Sequence, residues 1–258
     1  MNYALYATLL SFGLSIGMVI LFEIGRRIGI QQKAKEKYAE SGTGTVEAAV
    51  FGLLGLLIAF TFSGAAAKFD TRRQLIVEEV NDIGTAYLRL DLLPTDTQPA
   101  LRENFRRYID ARLEGYRKLP DIAAAKAELA KATQMQGEIW RQAIAASRAP
   151  AAPPAAPMLL LPALNAMIDI TTTRAMTTQL HPPPVIFVLL FGLALVASLL
   201  AGYGMAGSST RSWLHMLGFA LVMAVSVYVI IDIEFPRLGF IRVDAFDQAL
   251  VELRESMK

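Results

Sequence analysis

Hydrophobic and polar positions divide this chain into four long apolar, proline-free runs without Asp, Glu, Lys or Arg, separated by stretches of other pattern. The runs are Met1 to Phe22, Ala48 to Ala67, Val185 to Tyr203 and Trp213 to Ile231. At a rise of about 1.5 Å per residue, each matches the thickness of bilayer hydrocarbon, so four transmembrane helices are predicted. The second run does not stop at the charges. Val46 to Leu93 contains no proline, and beyond Lys68 the residues Phe69, Ile76, Ile83 and Leu90 recur every seven positions with Val80 and Tyr87 between them. That is an amphipathic seam, and it predicts one helix of roughly 70 Å leaving the membrane and entering a soluble layer. Gly64, just before the charges begin, is the position where it would kink.

Small residues suggest where helices touch. Gly13 and Gly17 form a small-xxx-small pair in the first span. Gly44, Ala48, Gly52, Gly55, Ala59 and Ser63 make a stripe in the second, opposite the bulk of Leu53, Leu56, Leu57 and Phe60. Both patterns favour close approach of a neighbouring backbone.

The soluble stretch divides at its prolines. Leu93-Pro94 ends the long helix, Pro99 opens the next, and Pro120 stops it. Asp121 is placed to cap an alanine-rich helix running to about Ser147. Residues 148–157 read as a stiff Pro/Ala linker, and a further helix runs from Pro162 to about Leu180. The loop Gly204 to Ser212 makes spans three and four a hairpin. A last amphipathic helix begins near Asp244, with Asp247 placed to complete its cap and Phe246, Leu250, Leu253 and Met257 on one face. The expected architecture is an all-α membrane protein. Residues 1–66 hold the first two spans with a basic loop at 24–45, 67–183 the soluble helices, 184–234 the second pair of spans, and 235–258 the terminal helix.

Composition narrows the function. A hydrophobic content of 54% is too high for an ordinary soluble domain. A net charge of +2 without a long basic run gives no reason to expect a nucleic-acid partner. No cysteine and only two histidines, His181 and His215, argue against thiolate chemistry and a multi-histidine metal site within one subunit. No nucleophile motif, phosphate-binding glycine loop or convergent carboxylate pair is visible, so no cofactor, metal or enzymatic activity is expected. Topology is contested. Arg26, Arg27, Lys33, Lys35 and Lys37 favour a cytosolic first loop, whereas Lys68, Arg72, Arg73, Arg174, Arg237, Arg242 and Arg254 favour a cytosolic soluble region.

The candidate chemistry is electrostatic. Lys68, Asp70, Arg72 and Arg73 sit where the second span ends; if that helix lines a pore they form its mouth, and otherwise they are a solvated helix start with Asp70 pairing Arg73. Arg73 falls on the apolar seam and needs a partner. Asp232 and Glu234 are acids at a membrane edge, with Arg237 and Arg242 close in sequence as plain ion-pair partners. His215 reads as bonded to a neighbouring helix or snorkelling, and His181 as structural.

Phe60 to Ile76 resembles the segment after the pore helix of bestrophin channels, with Lys68-Phe69 on their Arg-Trp pair and Arg73-Gln-Leu-Ile76 on their Arg-Lys-Leu-Trp run. Glu234-Phe-Pro236-Arg-Leu-Gly239 is similar to their Glu-Asn-Pro-Phe-Gly turn. More closely, residues 83–91, Asp169 to Arg174 and Arg237 to Asp247 resemble the bacterial bestrophin-like family of unassigned function. The resemblance implies a multi-pass protein of a bacterial inner membrane, with termini and segment 66–183 in the cytosol. It also implies a homo-oligomer, a pentamer being the form it suggests, around a pore lined by the second span, with Gly52, Leu56 and Phe60 at apolar neck positions. The paired tryptophans are missing, and so is the acidic cluster of the calcium clasp in animal bestrophins, which argues against calcium gating.

Two readings follow. The first is a homo-oligomeric ion channel in the lipid bilayer passing inorganic ions, with the basic surplus from Lys68 to Arg73 leaning towards anions. The second is a membrane-anchored helical interaction or signalling module that conducts nothing. A membrane enzyme comes third.

Overall fold

In a computed structural model, residues 3–34, 43–207 and 212–257 are described. Among them the chain forms eight α-helices and no strand: α1 (Tyr3–Ala34), α2 (Thr43–Leu88), α3 (Gln98–Arg117), α4 (Ile122–Ser147), α5 (Ala156–Gln179), α6 (Pro184–Gly204), α7 (Trp213–Glu234) and α8 (Asp244–Ser256). Four of these are long and apolar enough to cross a bilayer: α1, α2, α6 and α7. The protein is an all-α membrane protein. Contacts divide it into two compact units, one of Met1–Lys68 with His181–Phe240, the other of Phe69–Leu180 with Ile241–Lys258.

In the first unit α1 packs against both α6 and α7. Glycine decides how closely. A Cβ on Gly25 would stand 1.9 Å from the Leu199 carbonyl oxygen, and one on Gly202 would stand 1.9 Å from that of Phe22. Gly29 is equally constrained, 2.5 Å from Ala206 Cβ and 2.8 Å from the Tyr203 oxygen. The α1–α6 crossing is therefore a backbone-to-backbone contact through Gly25-xxx-Gly29, and any side chain there would force the helices apart. The pair expected to do this, Gly13 and Gly17, does not: nothing lies within 4 Å of a Cβ on Gly13, and Gly17 meets only Leu195 Cδ2 at 3.1 Å. The basic loop expected over 24–45 is also shorter than its pattern suggested. Helix α1 continues to Ala34, with Arg27 Nε donating to Glu23 Oε1 at 3.0 Å across one turn. Straight-chain Arg, Gln and Lys extend a helix at little cost, so charge marks the end of the apolar run without ending the helix. Lys35 and Lys37 lie outside the described residues.

Helix α2 runs unbroken from Thr43 to Leu88, as its proline-free sequence predicts. Its seam is the core of the second unit: Ile76, Ile83, Tyr87 and Leu90 are buried, and Val80 packs beside them. Against it lie Leu101, Phe105, Tyr108 and Ile109 of α3, Ile139 of α4, Leu160 and Leu164 of α5, and Leu250 of α8. Helix α3 opens with Pro99 in its first turn, and Asp121 caps α4 by accepting the Ala124 amide at 3.0 Å. Helix α5 begins at Ala156 rather than Pro162, and Ala156 itself is fully buried. Pro157 lies in its first turn, where a missing N–H costs nothing, so the end of the supposed linker is a helix start. Helix α8 is entered through Val243, which offers no side-chain acceptor. Asp247 lies in its first turn, where a negative charge meets the positive end of the helix dipole.

Candidate functional site

The second span has one held side and one open side. On the held side Leu54 and Ala65 are buried, and the Phe51 ring meets Phe219 of α7 edge-on at 5.5 Å. On the open side Gly52, Leu56 and Phe60 recur every fourth residue and therefore share a face; Leu56 is 51% and Phe60 67% exposed. Continued at helical spacing, the face passes through Ser63, Ala67, Asp70, Gln74, Glu78 and Asn81, all exposed. It changes from apolar to polar within one element. The small-residue stripe from Gly44 to Ser63 is likewise exposed, with open space at Gly52 and Gly55, so no helix among the described residues occupies it.

The four charges expected as one mouth turn different ways. Lys68 Nζ lies 3.1 Å from Glu234 Oε1. Arg72 is 7% exposed and directs its guanidinium to the Leu180 carbonyl. Arg73 donates to Asp70 at 3.1 Å and lies over the Phe246 ring at 4.3 Å, which supplies the partner its place on the seam demands. Asp70 alone of the four falls on the open face.

Glu234 finds partners far from it in sequence. Arg242 pairs with Asp244 at 2.5 Å. Glu234 is almost fully buried, and its Oε1 accepts from Lys68 and lies 3.2 Å from His181 Nδ1. Asp232 is also buried. Each of its oxygens accepts the Phe240 amide at 3.0 Å, and the Tyr228 hydroxyl donates to it at 3.3 Å. A Cβ on Gly239 would stand 1.9 Å from Asp232 Oδ1, so the turn after α7 closes over this carboxylate only because residue 239 is glycine. Glu234 Oε1 and both oxygens of Asp232 already face N–H, O–H and ammonium donors, whose positive ends point where a calcium ion would sit. His181, expected to be structural, stacks on Phe235 with ring centres 4.3 Å apart. His215 pairs with Ser212 at the start of its own helix rather than with a neighbouring one.

One cluster escaped the sequence. Glu79 of α2 is completely buried between Arg112 of α3, which donates to it at 2.7 Å, and Arg174 of α5, with the Tyr116 ring facing both guanidinium groups. Three helices meet at one carboxylate. Glu79 lies three residues past Ile76, on the buried side of an acidic Glu78-Glu79 pair. Its departure from the polar face was the only available sign.

The bestrophin-like domain profile matches residues 12–245. Among solved structures, two single-substitution variants of a bacterial bestrophin homologue from Klebsiella pneumoniae share the fold. One has a TM-score of 0.60 at 13% identity, covering 95% of this chain and 98% of that one. The other has a TM-score of 0.59 at 12% identity, covering 93% and 98%. No curated protein matches the chain. With the profile spanning nearly all of the four-span helical chain, the protein belongs to the bestrophin-like family.

Proposed function

We propose that the protein is a homo-oligomeric ion channel in which the open face of α2 lines the pore. The observation carrying this reading is that single face, apolar at Gly52, Leu56 and Phe60 and polar from Asp70 to Asn81, left uncovered by the other described helices. Copies arranged about an axis would bring Phe60 rings together as an apolar constriction that gates by dewetting, with polar side chains beyond it. The basic surplus that favours anions is drawn off the face: Lys68 is held by Glu234, Arg72 is buried, and Arg73 is paired. Asp70 is the partner of Arg73, which leaves Glu78 as the exposed acid of the face, and its field favours cations. Likeness to bestrophin homologues supports an assembly of several copies and leaves the ion to this chain's own charges.

The test is ion flux from purified protein in liposomes beside its oligomer mass in detergent. Flux that rises in Phe60→Ala, and a reversal potential that moves towards anions in Glu78→Lys, support the reading. A parent protein that conducts nothing removes it, and the membrane-anchored interaction module then takes its place.

A further inference from the structure

One side of α7 is open along the helix and closed at its end. Leu214, Leu217, Leu221, Val225, Tyr228 and Asp232 follow one another at steps of three and four residues and therefore share a face. The first four are each more than half exposed, yet Asp232 on the same face is fully buried. What covers it is the turn after the helix. That turn folds back until the Phe240 amide reaches both oxygens of the carboxylate at 3.0 Å. The Phe240 ring then lies 6.4 Å from the ring of Tyr228, one helical turn further into α7. Residue 240 is thus level with the last turn of a membrane helix, not beyond it. Its ring is 79% exposed, so a phenyl group stands outside where the carboxylate would otherwise face.

The residues of the face say what surrounds it. Membrane helices that touch one another favour small side chains, as on the exposed side of α2, whereas Leu214, Leu217, Leu221 and Val225 are bulky and branched and suit acyl chains. Aromatic rings collect where acyl chains meet headgroups. The start of α1 adds two more at this level: the Tyr3 hydroxyl donates to the Ile231 carbonyl at 3.2 Å, and Tyr6 is exposed. We propose that the turn 235–240 is a lipid-contacting element, in which the Phe240 ring enters the bilayer at the boundary of acyl chains and headgroups and, with Tyr228, keeps the Asp232 carboxylate out of the lipid. Its partner is the bilayer and not a second copy of the chain. The assignment goes beyond the channel reading and does not rest on conduction.

The chain has no cysteine, so a nitroxide on Phe240→Cys reports from one place in the full protein in phosphatidylcholine vesicles. Oxygen concentrates in lipid and a nickel chelate stays in water. The label at 240 should collide more with oxygen than with the chelate, by a smaller excess than a label on Leu221→Cys near the middle of the same face. Arg141→Cys, on the exposed side of α4, should show the reverse. A label at 240 that the chelate reaches as freely as the one at 141 overturns the proposal. So does one that neither agent reaches and whose spectrum is broadened by spins of other copies, which would put a second chain there. Phe240→Trp keeps a ring and needs no label, adding one tryptophan to the two of the parent. Its added emission should be quenched most by phosphatidylcholine brominated near the top of the acyl chain. Added emission that brominated lipid leaves untouched overturns the proposal as well.

Discussion

At the scale of single residues, what matters is the atom that a side chain, or its absence, leaves room for. Gly25 and Gly13 are both glycines in one membrane helix, yet a methyl at the first would meet a carbonyl oxygen and at the second nothing. Gly25→Ala should therefore lower thermal stability in detergent by about 1–3 kcal/mol, the usual cost of overpacking, and Gly13→Ala should leave it unchanged. Glu79 makes the complementary case. Changing it to Gln keeps the shape and removes the charge shared by Arg112 and Arg174. Two buried guanidinium groups without a counter-charge should cost about 3–5 kcal/mol, read as a fall in melting temperature. An unaltered melting temperature would mean that the two arginines are balanced elsewhere.

At the scale of elements, α2 is the helix on which the others depend. Its seam is buried by three soluble helices and α8, and Ile83 is fully enclosed among them. Ile83→Asp should place an unpaired carboxylate in that core at a cost of about 4 kcal/mol or more, enough to unfold the second unit. Limited proteolysis between α3 and α5 reads this directly, and a cleavage pattern identical to the parent's would require the seam to be exposed. Helix α4 should be far more tolerant. Removing its cap with Asp121→Ala costs about 1 kcal/mol and should shorten the helix start without releasing the core.

At the scale of the whole molecule, the uncovered face of α2 makes a prediction about copies of the chain. The chain has no cysteine, so a single substitution supplies a single thiol. Leu56→Cys and Gln74→Cys, both on the open face, should form disulfide-linked dimers on mild oxidation in membranes. Leu54→Cys, 2% exposed on the held side, should not. Equal linking at all three positions would show that α2 is not the helix that faces the other copies.

Periodicity and punctuation along the chain were enough to read the elements they control. Four apolar runs became four membrane helices, the seven-residue seam became a buried core, and Asp121 became a cap, because each depends on residues within a few turns of one another. The resemblance at residues 83–91, 169–174 and 237–247 likewise led to the family. Tertiary structure decided what depends on distant partners. Which glycines touch was unreadable, since Gly25 meets the Leu199 backbone and Gly202 that of Phe22, each more than about 170 positions away. Glu234 meets Lys68 and His181, 166 and 53 positions away, because α7 ends there and brings that carboxylate to them. Glu79 has only another acid, Glu78, beside it in sequence, and its arginines come from α3 and α5. Sequence distance governs helix formation; the pairing of charges is governed by the low-dielectric space that folding creates, where a charge takes whichever opposite partner the packed helices bring to it.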